Sequence, residues 1–273
     1  MAAVTTGPAF ISSLERFGAV GSTNDIARER LAAGTPEVCV AVADEQTTGR
    51  GRNGRTWTAP PGAALLVSLG FRPAWLAPDR TWRLGAIVAL AMADAAEEVG
   101  GLRDDAIRLK WPNDLVTVDG DAVRKLAGVL GETDGLGGPD PRAVIGIGVN
   151  ADWPAVAFPA ELRGSMTSLR EASGGRPIDR EALLAGFLGR LEARVETLRD
   201  GRFDSAGWTA RQATNGRDVT IARADGSTET AHALGVDPAT GALLVADADA
   251  PRGERAILSG EVVRLRLAPA GTV

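Results

Sequence analysis

The hydrophobic pattern of the chain changes near residue 214, and this change constrains the fold more than any other feature of the sequence. Upstream of it, short β-branched runs alternate with longer stretches of helical periodicity, as in a domain built from strands and helices. Downstream, the turn dipeptides Asp225-Gly226 and Thr240-Gly241 separate apolar runs, which is typical of about four or five short strands. We therefore predict a larger domain over residues 1–213 and a small barrel domain over residues 214–273.

Local signals place the individual elements of the larger domain. Asp179 is positioned to cap a helix along which apolar residues recur on one face. Asp119-Gly-Asp121 predicts a hairpin turn between two strands. The predicted strands are 16–20, 38–43, 63–71, 107–110, 115–118, 125–132 and 143–149, and the predicted helices are 24–33, 79–99, 179–198 and 203–212.

Charge and cysteine content exclude several classes of protein. The net charge of −5 argues against a general nucleic-acid binder, which needs a basic excess to neutralise phosphates. Cys39 is the single cysteine, so the chain cannot form an internal disulfide, and a reducing compartment is expected. The N-terminus lacks the pattern of a signal peptide and no apolar run reaches membrane-spanning length, so we predict a cytoplasmic protein.

The chain has a single histidine, His232. One histidine and one cysteine cannot supply a His/Cys metal cluster. We expect His232 to be a surface strand residue, because nothing beside it in the sequence resembles a partner for a Ser-His-Asp triad.

Gly49–Trp57, with the sequence GRGRNGRTW, is here called the arginine loop. Its glycines leave the backbone free and Arg50, Arg52 and Arg55 resist burial, so the segment predicts a loop that folds over an anion. GRGRNG matches the dinucleotide-binding pattern G-x-G-x-x-G. However, residues 44–48 separate it from the preceding strand, and no helix follows, so we reject that fold. A plain surface loop stays the alternative.

Three further motifs flank predicted strands. Lys110-Trp-Pro-Asn-Asp114 places an amine, an amide and a carboxylate at a strand end, where sites are commonly built. Arg124-Lys125-Leu-Ala-Gly128 begins an apolar strand with a lysine that can reach a phosphate or carboxylate. Gly146-Ile-Gly-Val-Asn150 permits close approach of a ligand or another backbone. Taken singly, a local turn, a rim lysine and tight sheet packing explain these motifs as well.

The order and combination of the motifs are more specific than any one of them. Ser22-Thr23-Asn24, Gln46 and the arginine loop, followed by the three motifs above, resemble the biotin protein ligase (biotin–[acetyl-CoA-carboxylase] ligase) family over roughly residues 16–267. The resemblance implies an α+β fold. A class II synthetase-like, biotin/lipoate ligase catalytic domain with a mixed, mostly antiparallel sheet would precede a small SH3-like β-barrel.

The resemblance also implies an ATP-dependent ligase that works in two steps. Biotin's carboxylate attacks the α-phosphate of ATP, bound with Mg²⁺, to give biotinyl-5′-AMP and pyrophosphate. A lysine of a biotin carboxyl carrier domain then takes the biotin and releases AMP. Positive groups are needed because two anions must meet. The implied partners are biotin, ATP and the carrier domain of a carboxylase, without DNA or membrane, and a homodimer is left open.

Residues that match the family's motifs take implied roles. Lys125, Arg52 and Asp114 are implied to be catalytic, with Asp114 linked to the magnesium ion or to the acceptor lysine. The residues implied to bind biotin are Ser22, Thr23 and Gln46 at the ureido ring, with Asn24, Arg50, Gly51, Arg52 and Lys125. Those implied to bind ATP are Arg52 and Arg55 at the phosphates, Trp57 at adenine and Asn150 at the nucleotide end, with Lys110, Asn113 and Lys125.

Two departures and two alternatives accompany this interpretation. Asn53 stands where some relatives have an arginine or a histidine, which matters little. Only about twenty residues precede Ser22, too few for a helix-turn-helix domain, so no operator binding is expected. A lipoate-type ligase would share the fold and the activation chemistry, but the ureido-binding set favours biotin. An Arg/Gly RNA-binding module is the other alternative, and the net charge of −5 counts against it.

Overall fold

A seven-stranded mixed sheet forms the centre of the larger part of the chain. Its strands are β1 (Ser13–Val20), β2 (Cys39–Gln46), β3 (Ala64–Phe71), β4 (Ile107–Lys110), β5 (Asp114–Asp119), β6 (Ala122–Asp134) and β7 (Arg142–Asn150). Their order is β1-β2-β3-β7-β6-β5-β4, with β1 and β2 parallel and the other neighbours antiparallel. This confirms the predicted mixed, mostly antiparallel sheet. The computed structural model describes residues 10–223 and 225–267, and the remaining residues of the two predicted domains lie outside that part.

Helices cover both faces of this sheet. They are α1 (Thr23–Ala32), α2 (Trp82–Gly100), α3 (Leu169–Ala172), α4 (Arg180–Arg199) and α5 (Ser205–Ala210). Every residue of β3 is buried, which requires cover on both faces because successive side chains alternate. Val67 and Leu69 join the core formed with α2 and α4, whereas Gly70, on the opposite face, approaches Leu31 of α1. The sheet is therefore sandwiched between α1 and the α2–α4 pair.

Side-chain capping explains where α4 begins but not where α1 begins. Asp179 accepts hydrogen bonds from the backbone N–H groups of Glu181 (2.9 Å) and Ala182 (3.1 Å), as predicted, and α4 starts at the next residue. Ser22 occupies the equivalent position before α1, but its side chain makes no capping hydrogen bond. The hydroxyl of Ser22 is therefore left for another partner.

Several elements differ in extent from the sequence prediction, and three of them are explained by their surroundings. α2 begins at Trp82 rather than at residue 79, because a 3₁₀ turn with Pro78 at its start precedes it. β2 continues to Gln46 because its last residues pair with β1, with Val20 opposite Gln46. β6 continues to Asp134 because it pairs with β7 over its whole second half. A contact distant in sequence thus sets the boundary of β2 and of β6, whereas a local turn sets that of α2.

A separate five-stranded antiparallel sheet follows the larger part of the chain. Its strands, in the spatial order β11-β10-β9-β8-β12, are β8 (Arg217–Ala222), β9 (Thr228–Val236), β10 (Leu243–Ala246), β11 (Glu254–Ile257) and β12 (Glu261–Leu267). The change of pattern near residue 214 thus marks a change from a mixed sheet to an all-antiparallel one. Among the residues that the structure describes, no helix has the length and apolar character to cross a membrane.

Candidate functional site

One cavity of about 370 Å³ gathers the residues that the resemblance assigns to biotin and ATP. It lies on the sheet face that carries α1, and the arginine loop, β5, β6, β7 and the start of β12 contribute to its wall. The predicted residues that line it are Ser22, Thr23, Asn24, Gln46, Arg50, Gly51, Arg52, Arg55, Trp57, Lys110, Asn113, Asp114, Lys125 and Asn150.

Uncharged hydrogen-bonding groups form the side of the cavity next to α1. Gln46 Oε1 accepts hydrogen bonds from the backbone N–H (2.7 Å) and the hydroxyl (3.0 Å) of Thr23. The hydroxyl of Ser68, on β3, lies 2.7 Å from Thr23 Oγ1 and 2.6 Å from Asn24 Oδ1. Asn24 Nδ2 donates to Glu132 Oε2 on β6 at 2.8 Å. Thr23, Asn24 and Ser68 are all buried, so this network is fixed by its own hydrogen bonds.

The glycines of β7 make room for two of these side chains. A Cβ on Gly146 would clash with Asn24 Oδ1. A Cβ on Gly148 would lie 2.7 Å from Trp57 Cε2, so the indole ring rests directly on the backbone of β7. The two glycines therefore allow a close approach, but the approaching groups are protein side chains rather than the ligand or backbone that the motif predicted.

The arginine loop closes on itself as a narrow turn. Arg50 and Thr56 form a β-bridge, and the backbone N–H of Gly51 donates to Arg55 O at 2.7 Å. Asn53 sits at the tip with φ 56° and ψ 37°, in the left-handed region that asparagine tolerates better than most residues. The left-handed backbone at this position is therefore consistent with an asparagine where some relatives have an arginine or a histidine.

Arg50 points away from the cationic groups of the site. Its guanidinium contacts both carboxylate oxygens of Asp25 at 2.8 Å and Glu132 Oε1 at 3.4 Å. Hydrogen bonding to Asp25 raises the pKa of Arg50, and the same bond lowers the pKa of Asp25. The side chain of Arg50 therefore ties the first residues of the loop to α1 and β6.

Arg52 and Arg55 face the start of β12. Arg55 forms an ion pair with Glu261. Arg52 Nη1 donates to Gly260 O at 3.1 Å, and Arg52 makes no ion pair with any residue in the described ranges. Burial lowers the pKa of Arg52, as expected for a guanidinium held out of water without a carboxylate in contact. Of the three loop arginines, Arg52 is the one whose charge is left for a ligand.

Asp114 holds two lysines together on the cationic side of the cavity. Its carboxylate lies 2.6 Å from Lys125 Nζ and 3.0 Å from Lys110 Nζ, and Lys110 also donates to Val262 O at 3.0 Å. Burial alone would raise the pKa of Asp114, but the two ammonium groups outweigh it and leave the pKa below its usual value. Asp114 is therefore ionised at neutral pH.

Positive charge predominates in the lining as a whole. Lys125 Nζ also lies 5.6 Å from the centre of the Trp57 ring, so the cations and the indole share one wall. A cavity with this excess favours an anionic ligand. The cationic side chains of the lining are Arg50, Arg52, Arg55, Lys110 and Lys125, and its carboxylates are Asp114 and Glu261.

Asn113 and Asn150 use their amide groups to hold backbone. Asn113 Nδ2 donates to Val129 O at 2.6 Å, and Asn150 Nδ2 donates to Thr167 O at 2.9 Å. Both side chains line the cavity while they fix the strands around it.

Sequence reasoning missed several participants. Ser68 could have been found, because it is the one polar residue in the apolar run Ala63–Phe71. Glu132 carried no signal beyond its place at the end of a predicted strand. Glu261 is 206 residues from its partner Arg55, and no local pattern links the two.

The residues of this site do not fit a magnesium ion held by the protein. Each contact of the Asp114 carboxylate is taken by an ammonium group, which a divalent cation would have to displace. In the described ranges, no three His, Cys, Asp or Glu side chains are grouped as metal ligands. Mg²⁺ needs an oxygen set, and the lining supplies cations instead.

His232 lies far along the chain from these residues, on β9. As expected, it is a partly exposed strand residue. Asp218 stands directly opposite it on β8, with Oδ1 3.0 Å from Nδ1. The partner comes from strand pairing, which the sequence around His232 does not reveal.

Comparison with known proteins agrees with this geometry. Residues 18–150 match the Biotin/lipoate A/B protein ligase family. The biotin–[acetyl-CoA-carboxylase] ligase of Paracoccus denitrificans is 35% identical over 85% of this chain and 93% of that protein. The bifunctional ligase/repressor BirA of Bacillus subtilis is 34% identical, and this chain spans about half of its length, 51%.

A solved structure supports the same assignment. The biotin protein ligase from Aquifex aeolicus in complex with biotin and ATP superposes with a TM-score of 0.74 at 26% identity. The match covers 93% of this chain and 99% of that one. With a relative matched over nearly its whole length and the family motifs gathered around one cavity, the chain belongs to the biotin protein ligase family.

Proposed function

We propose that this protein activates biotin with ATP to biotinyl-5′-AMP and transfers the biotin to a lysine of a biotin carboxyl carrier domain. The observation that carries the proposal is the pairing of Lys110 and Lys125 with one carboxylate, Asp114, in a cavity that Arg52 also lines and whose α1 side is uncharged. A ligand with a neutral ring at one end and an acid at the other matches these two sides.

The first step requires two anions to approach. The biotin carboxylate oxygen attacks the α-phosphorus, a P–O bond forms, and the bond to the departing pyrophosphate breaks. Arg52 has a half-buried charge with no carboxylate partner in the described ranges, so it is available to the phosphates without breaking an ion pair. Lys125 would stand beside the reacting carboxylate and α-phosphate, where donors fixed in advance stabilise developing charge.

Asp114 acts, in this proposal, on the two lysines rather than on the substrate. Its lowered pKa makes it a weak base at neutral pH, so it is a poor acceptor for a proton. Its contacts to Lys110 and Lys125 instead fix where the two ammonium groups stand.

The second step places the acceptor lysine at the acyl carbon of the anhydride, where AMP leaves as the amide forms.

Roles on the neutral side follow the hydrogen bonds. Ser22 has a hydroxyl free of helix capping, and Thr23 and Gln46 are locked together beside it. We assign these three side chains to the ureido ring and the Trp57 indole to the adenine. ATP would arrive with its magnesium ion, whose ligands would have to be phosphate and water oxygens.

The second sheet is proposed to be an SH3-like barrel, and the domain boundary to fall between residues 213 and 214. The support is the shift in strand register within the β9–β10 and β8–β12 pairs, since bulges of this kind bend a sheet. A crystal structure with β11 and β12 hydrogen-bonded would support closure, and one with both edges open would refute it.

Biotin-dependent exchange of labelled pyrophosphate into ATP tests the proposal. We expect exchange with biotin and none with lipoate or without an acid. Exchange seen only with lipoate would instead make the protein a lipoate ligase. Binding of RNA with steep salt dependence and no exchange would overturn the enzymatic proposal altogether.

A further inference from the structure

Glu132 is the only charged group in contact with the neutral side of the cavity among the residues described, and it reaches that side through Asn24. It stands on β6, on the face that carries α1. One position earlier on that face, Leu130 pairs with Gly146, over which Asn24 Oδ1 lies. Arg28 and Arg50 also hold the Glu132 carboxylate, at 2.6 and 3.4 Å.

The charge of Glu132 decides which way the Asn24 amide points. A carboxylate can only accept a hydrogen bond, so the amide must turn Nδ2 toward it and Oδ1 toward Gly146 and Ser68. Ser68 could not make this choice alone, because a hydroxyl can donate or accept with equal ease. Without Glu132, both orientations of the amide would find a partner in Ser68.

This orientation determines what the cavity offers a ligand. With Oδ1 fixed over Gly146, the part of the cavity wall formed by β7 presents a hydrogen-bond acceptor. The Thr23 hydroxyl donates to Gln46 and accepts from Ser68, which leaves it one lone pair for another donor. Asn24 and Thr23 therefore present acceptors side by side, as a ring with N–H donors requires.

We propose that Glu132 is a positioning residue that selects a cyclic urea by fixing the donor and acceptor orientation of Asn24. The inference rests on the proposed function and adds to it a group that makes no contact with the ligand itself. It predicts that discrimination between ring chemistries depends on Glu132, separately from affinity. A site built to receive an N–H group rejects analogues that lack it, since its buried acceptor is left unpaired.

The test compares biotin with two cyclic carbamates in which one or the other ring N–H is replaced by oxygen. Dissociation constants are measured by calorimetry for the wild type, Glu132→Ala and Glu132→Gln. We expect the wild type to reject at least one carbamate, and both variants to reduce that rejection about tenfold, because a released amide can turn its Nδ2 toward the ring oxygen. Arg28→Gln is the matched control, since it removes a partner of Glu132 but leaves the bond to Asn24.

The outcomes distinguish a failure of the Glu132 inference from a failure of the proposed function. Equal loss of affinity for biotin and carbamate in both Glu132 variants, with the ratio unchanged, would show a merely structural role and refute the inference. A change of ratio in Arg28→Gln as large as in Glu132→Ala would refute it as well. A wild type that binds no biotin would instead overturn the proposed function. Glu132→Gln keeps the test decisive if Glu132→Ala does not fold.

Discussion

Replacement of Gly148 by alanine tests the contact between β7 and the arginine loop. The new Cβ would lie 2.7 Å from Trp57 Cε2, 2.8 Å from Nε1 and 3.0 Å from Cζ2. Ordinary contacts begin near 3.4 Å. The indole would therefore have to withdraw by about 0.7 Å at its nearest atom. Overpacking of this size costs about 1–3 kcal/mol. The φ of Gly148 is not in the left-handed region, so the cost is steric alone.

Urea denaturation of a double-mutant cycle measures this cost. Gly148→Ala should lower the free energy of unfolding by about 1–3 kcal/mol, and in a Trp57→Ala background the same change should cost less than about 0.5 kcal/mol. Gly189→Ala is the control, because its Cβ meets nothing within 4 Å and alanine favours the helix. An equal cost of Gly148→Ala in both backgrounds would refute the placement of Trp57 on Gly148.

Three further predictions concern stability. The pKa of Asp114 is lower in the folded protein than in the unfolded chain, so its ionised carboxylate stabilises the fold fully above about pH 4. This stabilisation is lost as the pH falls through the folded-state pKa. In Asp114→Asn, the urea midpoint should therefore fall less steeply with decreasing pH than in the wild type. Asp179→Ala removes the cap of α4 and should cost about 1 kcal/mol by urea denaturation. Arg211→Ala leaves the buried Glu97 carboxylate without its cation and should cost about 3–5 kcal/mol at pH 7. Burial raises the pKa of Glu97, so that last cost should shrink as the pH is lowered and the carboxyl takes up a proton.

Much of the fold could be predicted where local sequence decides the structure. The continuous apolar run 63–71 forms β3 (Ala64–Phe71). A strand that is buried on both faces has apolar side chains at nearly every position, and Ser68 is the one exception here. Asp179 fixed the start of α4 because capping acts within one turn. The motifs in the cavity could be found for a similar reason: each is a short run of unusual residues.

The rest depends on contacts between distant parts of the chain. The parallel pairing of β1 with β2 leaves no local signature, and it extends β2 to Gln46. The ion pair of Arg55 with Glu261 joins the arginine loop to the second sheet, so the loop is less free than its glycines suggested. Glu132 acts on the site through a single amide, which no pattern of residue types indicates.

Mass-spectrometric detection of biotinyl-AMP, with its rate of formation in Lys125→Ala, shows whether this protein activates biotin with the help of Lys125. We expect the wild type to form biotinyl-AMP from biotin and ATP and to pass the biotin to a carrier-domain lysine. Lys125→Ala should keep its circular dichroism spectrum and form the adenylate about 10²–10³-fold more slowly, the usual loss when one fixed electrostatic donor is removed. Adenylate formation at the wild-type rate in Lys125→Ala would contradict the account.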